Sequence, residues 1–259
     1  MIKSFKILLI ITGLLLLLII SYISTLEILS INIAIDEFNS KFSTQDKTAE
    51  YTFNSTSDSA IIAKQFEYAF ISAQLEASKS DSISFSINLP DSTANLMIKG
   101  VVVHSAKIES LKLSRFVDAV DEAALFRMLS RPLQVTGHIS TIPKVPLMVK
   151  IAPKDTSEYT PDVVPDTTDI DAVNFIFETN SGIQLYFYES NPRESADGLK
   201  QFKFDFRDRV QTGFTLFKSA LRFKKPKYQP EIRIKLNKRD AKIIYRALPE
   251  NASIVLKIK

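Results

Sequence analysis

The sequence predicts an α+β protein: an N-terminal transmembrane helix, an antiparallel β-rich domain with one helix, and a smaller α+β domain. Three observations predict this class, namely one long uncharged apolar run, several short segments in which apolar and polar residues alternate, and a few segments with helical spacing. The predicted divisions are a cytoplasmic tail and anchor at 1–26, a β-rich extracytoplasmic domain at 27–152, a Pro/acid-rich linker at 153–169 and a basic α+β domain at 170–259.

The apolar run begins at Ile7, after Lys3 and Lys6, and reaches Leu26. A helix of about 20 residues spans the roughly 30 Å hydrocarbon core of a bilayer. The exit sequence 21–27 has no clean pair of small residues for a signal peptidase, which favours a retained anchor over a cleaved signal peptide. The two lysines place the N-terminus in the cytoplasm. We therefore expect a single-pass protein of the inner cell membrane with the bulk of the chain extracytoplasmic; a buried core helix is the alternative.

Period-two alternation predicts most of the first domain as strands. One helix interrupts them, with Ser114 as its N-cap and Pro132 after its end. The predicted strands cover residues 29–35, 66–75, 83–89, 96–103, 133–139 and 145–151.

Beyond the linker, alternation on both sides of Asn180-Ser181-Gly182 predicts a hairpin over 173–187. Residues 199–221 fit both a strand and a helix, and their length favours the helix, whose Phe stripe is either core or membrane-surface. The C-terminal part predicts a strand at 232–236, a helix at 238–248 and a strand at 253–258.

Charge is distributed unevenly between two stretches that cover the linker and the second domain. Residues 155–199 hold about ten acids and one arginine, whereas residues 200–259 hold about seventeen Lys/Arg and five acids. This basic stretch predicts contact with anionic lipid or an envelope polymer, or alternatively with the acidic segment of the same chain. An envelope protein is a further expected partner, whereas nucleic acid is not. The candidate membrane or polyanion surface comprises Lys200, Lys203, Arg207, Arg209, Lys218, Arg222, Lys224 and Lys225.

Little in the sequence points to catalysis. The chain has no Cys, which excludes thiolate metal sites and Cys nucleophiles. Its two histidines, His104 and His138, lie on separate predicted strands and are expected to be ordinary strand residues. Neither a nucleophile elbow nor a phosphate-binding glycine loop occurs. We therefore predict no catalytic, cofactor-binding or metal-ligating residues and no cofactor; a triad or carboxylate pair dispersed along the chain stays open.

A stretch of about 25 residues near the C-terminus, comprising 234–240 with Tyr245, Pro249 and Val255, resembles the strand, helix and strand that close L,D-transpeptidase domains. In that family a Ser-His-Gly-Cys motif precedes the strand, and 230–233 here read Pro-Glu-Ile-Arg, without the nucleophile. The resemblance implies a degenerate, non-catalytic relative.

The expected function is membrane-anchored, extracytoplasmic and non-enzymatic: binding or scaffolding at the cell envelope. A lipid-handling module is the first alternative, in which the first sheet forms an apolar groove beside the bilayer. An enzyme with a dispersed Ser or carboxylate site is the second.

Overall fold

The computed structural model describes residues 2–44, 58–144, 172–190, 204 and 228–259. In these residues the helices are α1 (Ile2–Thr44), α2 (Ser59–Ser78), α3 (Arg115–Ala119), α4 (Glu122–Leu129) and α5 (Lys238–Ala247). The strands are β1 (Ile83–Asn88), β2 (Thr93–Ile98), β3 (Val101–Leu113), β4 (Leu133–Ser140), β5 (Phe175–Thr179), β6 (Gln184–Glu189), β7 (Glu231–Leu236) and β8 (Ser253–Lys257). The predicted α+β class is confirmed.

The strands form a closed barrel in the order β1-β2-β3-β7-β6-β5-β4-β8, with β8 completing the circle against β1. Neighbouring strands are antiparallel except in the pairs β6–β7 and β8–β1. Strand β3 pairs with its two neighbours along different parts of its length: its first half pairs with β2 and its second half pairs with β7. Alternate residues of the strands point inward, so the interior is filled by side chains such as Phe85, Phe187 and Ile234, all fully buried.

Strands from both predicted domains belong to this one barrel. β4, from the first, pairs with β5 from the second, and β3 pairs with β7. The predicted linker 153–169 lies outside the described residues, as do the predicted strand 145–151 and all of the predicted helix 199–221 except Phe204.

Short helices cover the two ends of the barrel. α3 and α4 lie between the end of β3 and the start of β4 and contribute Phe116, Leu125 and Leu129 to the core cluster. α5 lies at the opposite end, between β7 and β8, and contributes Ile244 and Tyr245. The predicted N-cap is confirmed, since the Ser114 side chain accepts a hydrogen bond from the Phe116 amide at 3.3 Å. The prediction of one helix before Pro132 was wrong, because Val120 and Asp121 have extended backbones and divide the segment into α3 and α4.

The predicted strand 29–35 was wrong, because these residues continue helix α1. Ala34, Ile35, Phe38 and Phe42 pack against the core, and their spacing is that of one helical stripe. A run of only seven residues is too short to distinguish the strand period of two from the helix period of 3.6. Because the preceding residues are already helical, extending that helix avoids the cost of nucleating a new element. Within the described residues, no helix was found to combine the length and the hydropathy that a membrane span requires.

The predicted strand 66–75 was also wrong, because these residues lie in α2. The helix buries Phe66, Phe70 and Ala73 on one face, and it exposes Tyr68 and Leu75 on another. Apolar residues on two helical faces produce a false alternation at positions 66, 68 and 70.

One of the remaining strand predictions was wrong, and the others that fall within the described residues agree with the structure. The predicted strand at 83–89, the hairpin at 173–187, and the C-terminal strand, helix and strand correspond to β1, β5–β6, β7, α5 and β8. The apolar run 96–103 is a hairpin rather than one strand, because the chain turns at Lys99 and Gly100, with φ values of 50° and 81°. Two consecutive residues with positive φ form the tight turn that suits a two-residue hairpin.

Candidate functional site

A groove of about 570 Å³ lies between α1 and the end of the barrel that α3 and α4 cover. One wall is a face of α1, and the other is formed by the β5–β6 turn, by Phe116 of α3 and by the chain leading into β7. Its size is in the range of pockets that hold small molecules or short polymer segments. The lining comprises Ser30, Ile33, Ala34, Glu37, Phe38, Lys41, Phe116, Thr179, Asn180, Ser181, Gly182, Tyr228 and Pro230.

Among the described residues that line the groove, both charged ones lie on the α1 wall. Glu37 and Lys41 are one helical turn apart and both are exposed. The Lys41 Nζ donates a hydrogen bond to the Asn180 carbonyl at 3.2 Å, so this ammonium bridges the groove to the opposite wall. The groove therefore offers an anionic and a cationic group within one turn of helix.

The turn on the other wall is rigid for local reasons. Gly182 has a φ of 91°, a conformation that favours glycine, and its amide donates to the Thr179 carbonyl at 2.9 Å. The Thr179 hydroxyl lies 2.8 Å from that of Ser181 and donates to the Ile183 carbonyl at 2.7 Å. These hydroxyls are engaged within the turn, which fixes the shape of the groove.

Aromatic rings form the base of the contact between α1 and the barrel. Phe38 packs edge-on against Phe116, with ring centroids 5.4 Å apart, and Phe116 lies 5.8 Å from Tyr228. The Tyr228 hydroxyl is 2.6 Å from the Ser114 hydroxyl, which is the N-cap of α3. These contacts fix the base of the groove, and the partly exposed side chains of Ile33, Ala34 and Tyr228 provide apolar area beside the two charges.

Polar contacts hold the C-terminal part of α1 in place. Arg127 of α4 donates to the carbonyls of Phe42 and Ser43 at 3.1 and 3.2 Å, and these lie in the last turn of α1, where carbonyls lack helical partners. Asn39 accepts from the amide of Asp121, the N-cap of α4, at 3.0 Å. The groove is therefore built between elements fixed to each other.

A second polar cluster lies at the α5 end of the barrel. His104 Nε2 is 3.1 Å from Asp240 Oδ1, and both side chains are about a quarter exposed, at 27% and 26%. Sequence reasoning treated His104 as an isolated strand residue. The pairing arises because β3 passes the start of α5, and the residues are separated by 136 positions, so no local pattern signals it.

Tyr245 is the most enclosed ionisable group near this end, being 2% exposed. Its ring lies 5.1 Å from that of Phe175 and 5.9 Å from that of His138. Burial raises the pKa of the phenol and outweighs a side-chain hydrogen bond with Ser140. Burial disfavours the charged form of Lys144 as well, and for an amine this lowers the pKa; the Lys144 Nζ lies 5.5 Å from the centre of the Tyr245 ring.

Replacing Tyr245 by phenylalanine is expected to weaken the loss of stability at alkaline pH. Because the folded phenol has a pKa above its ordinary value of 10.0, its contribution to stability is complete below about pH 10 and is lost as the pH rises through the raised pKa. Urea midpoints measured near pH 9 and pH 11 should fall less in the variant than in the parent protein. Tyr68→Phe, at a half-exposed position, is the control and should fall as the parent does; equal falls for all three proteins would contradict the prediction.

All eight residues of the predicted basic surface lie outside the described residues. In the described parts of the chain, no group of three or more His, Asp or Glu side chains is arranged to hold a metal ion. The groove was missed by sequence reasoning, because its residues come from four separate segments.

No protein-family model matches this chain, and neither the curated proteins nor the solved structures contain a significant match.

Proposed function

We propose that this protein is a membrane-anchored, extracytoplasmic binding or scaffolding protein of the cell envelope, and that the groove between α1 and the barrel is its binding site. The observation that carries the proposal is the groove itself: about 570 Å³ of space, with apolar rings, a carboxylate and an ammonium, at a junction fixed by hydrogen bonds. Concave sites that combine apolar area with a few placed polar groups are typical of ligand binding.

The groove chemistry favours a partner that combines apolar and charged groups. The partly exposed side chains of Ile33, Ala34 and Tyr228 provide apolar area, and Glu37 and Lys41 provide opposite charges within one turn. The segment of an envelope protein fits this description, and so does an envelope polymer with charged substituents. The polar atoms of the β5–β6 turn hydrogen-bond to each other, which suits positioning of a ligand more than proton transfer to one.

The anchor is part of this proposal. Support for it comes from the uncharged sequence between Lys6 and Glu27 and from exposed side chains along the N-terminal half of α1. These include Leu14, Leu17, Leu18 and Ile20, which are 55–67% exposed. α1 has 43 residues, a length of roughly 65 Å, so that its docked C-terminal third leaves most of the helix beyond the barrel. The two lysines before the run favour a cytoplasmic N-terminus.

The basic residues between Lys200 and Lys225 are proposed as a supplementary surface for anionic lipid or polymer, on the strength of their charge alone. For the lipid-handling alternative, the first three strands are part of the closed barrel, and its interior is occupied by side chains. For the L,D-transpeptidase alternative, Ile232 is buried and Arg233 binds Glu231 at 2.9 Å, so these positions serve the packing and pairing of β7.

A photoreactive amino acid in place of Ile33, which lines the groove and is partly exposed, tests the groove and leaves both of its charges in place. The full chain carrying it, illuminated in cells, is expected to give a cross-linked product heavier than the chain. The control places the same residue at Asp36, which is exposed on α1 but does not line the groove. Adding Lys41→Glu to the variant with the probe at 33 should reduce the product, because it removes the bridging ammonium. Equal products at 33 and 36, or none at 33, would remove the support for binding at this groove.

A further inference from the structure

α2 has a second apolar face that does not pack on the barrel. Its members alternate at intervals of three and four residues, and we call them the α2 seam: Ile61, Lys64, Tyr68, Ile71, Leu75 and Ser78. The large apolar members are well exposed, with Ile61 at 46%, Tyr68 at 52%, Ile71 at 54% and Leu75 at 65%. The opposite face of α2 packs on α4 and β8 through Phe66, Ala69, Phe70, Ala73 and Ala77.

The spacing indicates the kind of partner. Apolar residues at alternating intervals of three and four form the narrow seam through which two helices pack with knobs in holes. A helix that lies on a membrane instead needs a wide apolar face with basic flanks. The α2 seam has Lys64 within it and the exposed acids Glu67 and Glu76 beside it, which disfavours an anionic lipid surface. The observations favour another helix.

The charges of α2 indicate that this helix is a second α2. In an antiparallel pair centred between Tyr68 and Ile71, Tyr68 of one copy faces Ile71 of the other copy across the two-fold axis. Lys64 then lies opposite Leu75 of the second copy and next to its Glu76, an attractive pair. A parallel pair would place Lys64 against Lys64, a repulsive contact within the seam. The helix dipoles also favour the antiparallel arrangement.

The exposed apolar surface continues past the end of α2. The turn between β2 and β3 abuts Ser78, since a Cβ added at Gly100 would lie 3.2 Å from the Ser78 Cβ. Beyond that turn Val101 and Val103 are 66% and 55% exposed. A patch that extends over a helix and a neighbouring hairpin marks an interaction surface on a protein of this size.

We propose that two copies of this chain associate through the α2 seam as an antiparallel helix pair. Binding at the groove is not required for this association, since the two surfaces lie on different helices.

Disulfide cross-linking tests the register directly, because the chain has no cysteine of its own. In the double variant Lys64→Cys/Leu75→Cys, the cysteine at 64 of one copy is expected to lie opposite the cysteine at 75 of the other copy. Oxidation of the full chain in mild detergent should then give a covalent dimer. Within one chain these positions are about 16 Å apart along the helix, too far for an internal disulfide. The single variants are matched controls that should give no covalent dimer under the same oxidation. No dimer from the double variant, or equal dimer from a single variant, would overturn the proposal.

The charge-introducing variant Ile71→Asp/Leu75→Asp provides an independent readout. Both side chains are exposed, so the barrel should keep its thermal unfolding temperature. The dissociation constant of the dimer, measured by analytical ultracentrifugation, is expected to rise about a hundredfold, as removal of central interface residues typically produces. Glu109→Lys, exposed on β3, should leave it unchanged. An unchanged dissociation constant in the aspartate variant would overturn the proposal, as would insertion of a fluorophore at position 75 into added liposomes.

Discussion

The Phe187→Ala variant is expected to lose about 3–5 kcal/mol of unfolding free energy, the range typical of removing a large aromatic side chain from a packed core. Phe187 is fully buried, and its ring stacks on that of Phe175 at a centroid distance of 4.7 Å. It also lies 5.7 Å from Phe85 and 5.8 Å from Phe177. These rings come from three strands, so removing the central one leaves a cavity that no single strand can fill by shifting.

Urea denaturation of the full chain in detergent measures this effect. Both proteins are fitted with their own slope of unfolding free energy against urea concentration, and a common slope is used where the two agree. The control is Ile139→Ala on β4, where the side chain is 50% exposed and a change within about 0.5 kcal/mol is expected. A loss of under 1 kcal/mol at Phe187, or equal losses at both positions, would contradict the packing described for the barrel interior.

Release from the membrane is the expected result of the triple variant Leu14→Lys, Leu17→Lys and Leu18→Lys. Each lysine at the centre of a spanning helix opposes insertion by about 2.5–3.5 kcal/mol, so three together should outweigh the remaining apolar residues. The parent chain is expected to stay in the membrane pellet after an alkaline carbonate wash, whereas the variant should appear in the supernatant. The side chains concerned are exposed, and their replacement should leave the barrel folded.

A variant with the same added charge separates anchoring from a general charge effect. It carries lysines at Val102, Leu111 and Ile139, all exposed on the barrel strands, and should stay in the pellet. A C-terminal tag on the parent chain should also be cleaved by protease added to spheroplasts. A parent chain that washes off the membrane, or a tag that is protected, would remove the anchor from the proposed function.

Local sequence signals predicted a strand or helix correctly where one face of that element is buried and the other is not. β7 alternates Ile232, Ile234 and Leu236 inward, and α5 follows an Asn237 cap, so both were predictable. They failed for α2 because its two apolar faces obscure the helical period. They also failed for residues 29–35, where a short alternation is embedded in a much longer helix.

Local sequence patterns could not predict which strands pair with each other or where the candidate site lies. β3 changes neighbour after Lys107, and β8 runs parallel to β1, although these two strands lie at opposite ends of the sequence. Nothing in the alternation of either strand specifies its neighbour. The groove has the same origin, since Phe38, Asn180 and Tyr228 meet only after the barrel has closed and α1 has docked.

The position of β8 has a consequence for biosynthesis. It follows the other seven strands of the described residues in sequence, yet it lies between β1 and β4, which are made much earlier. Until β8 emerges, each of those strands keeps a row of unpaired backbone amides and carbonyls, the kind of edge that recruits other chains. The nascent polypeptide is therefore expected to be most prone to aggregation before β8 has been translated.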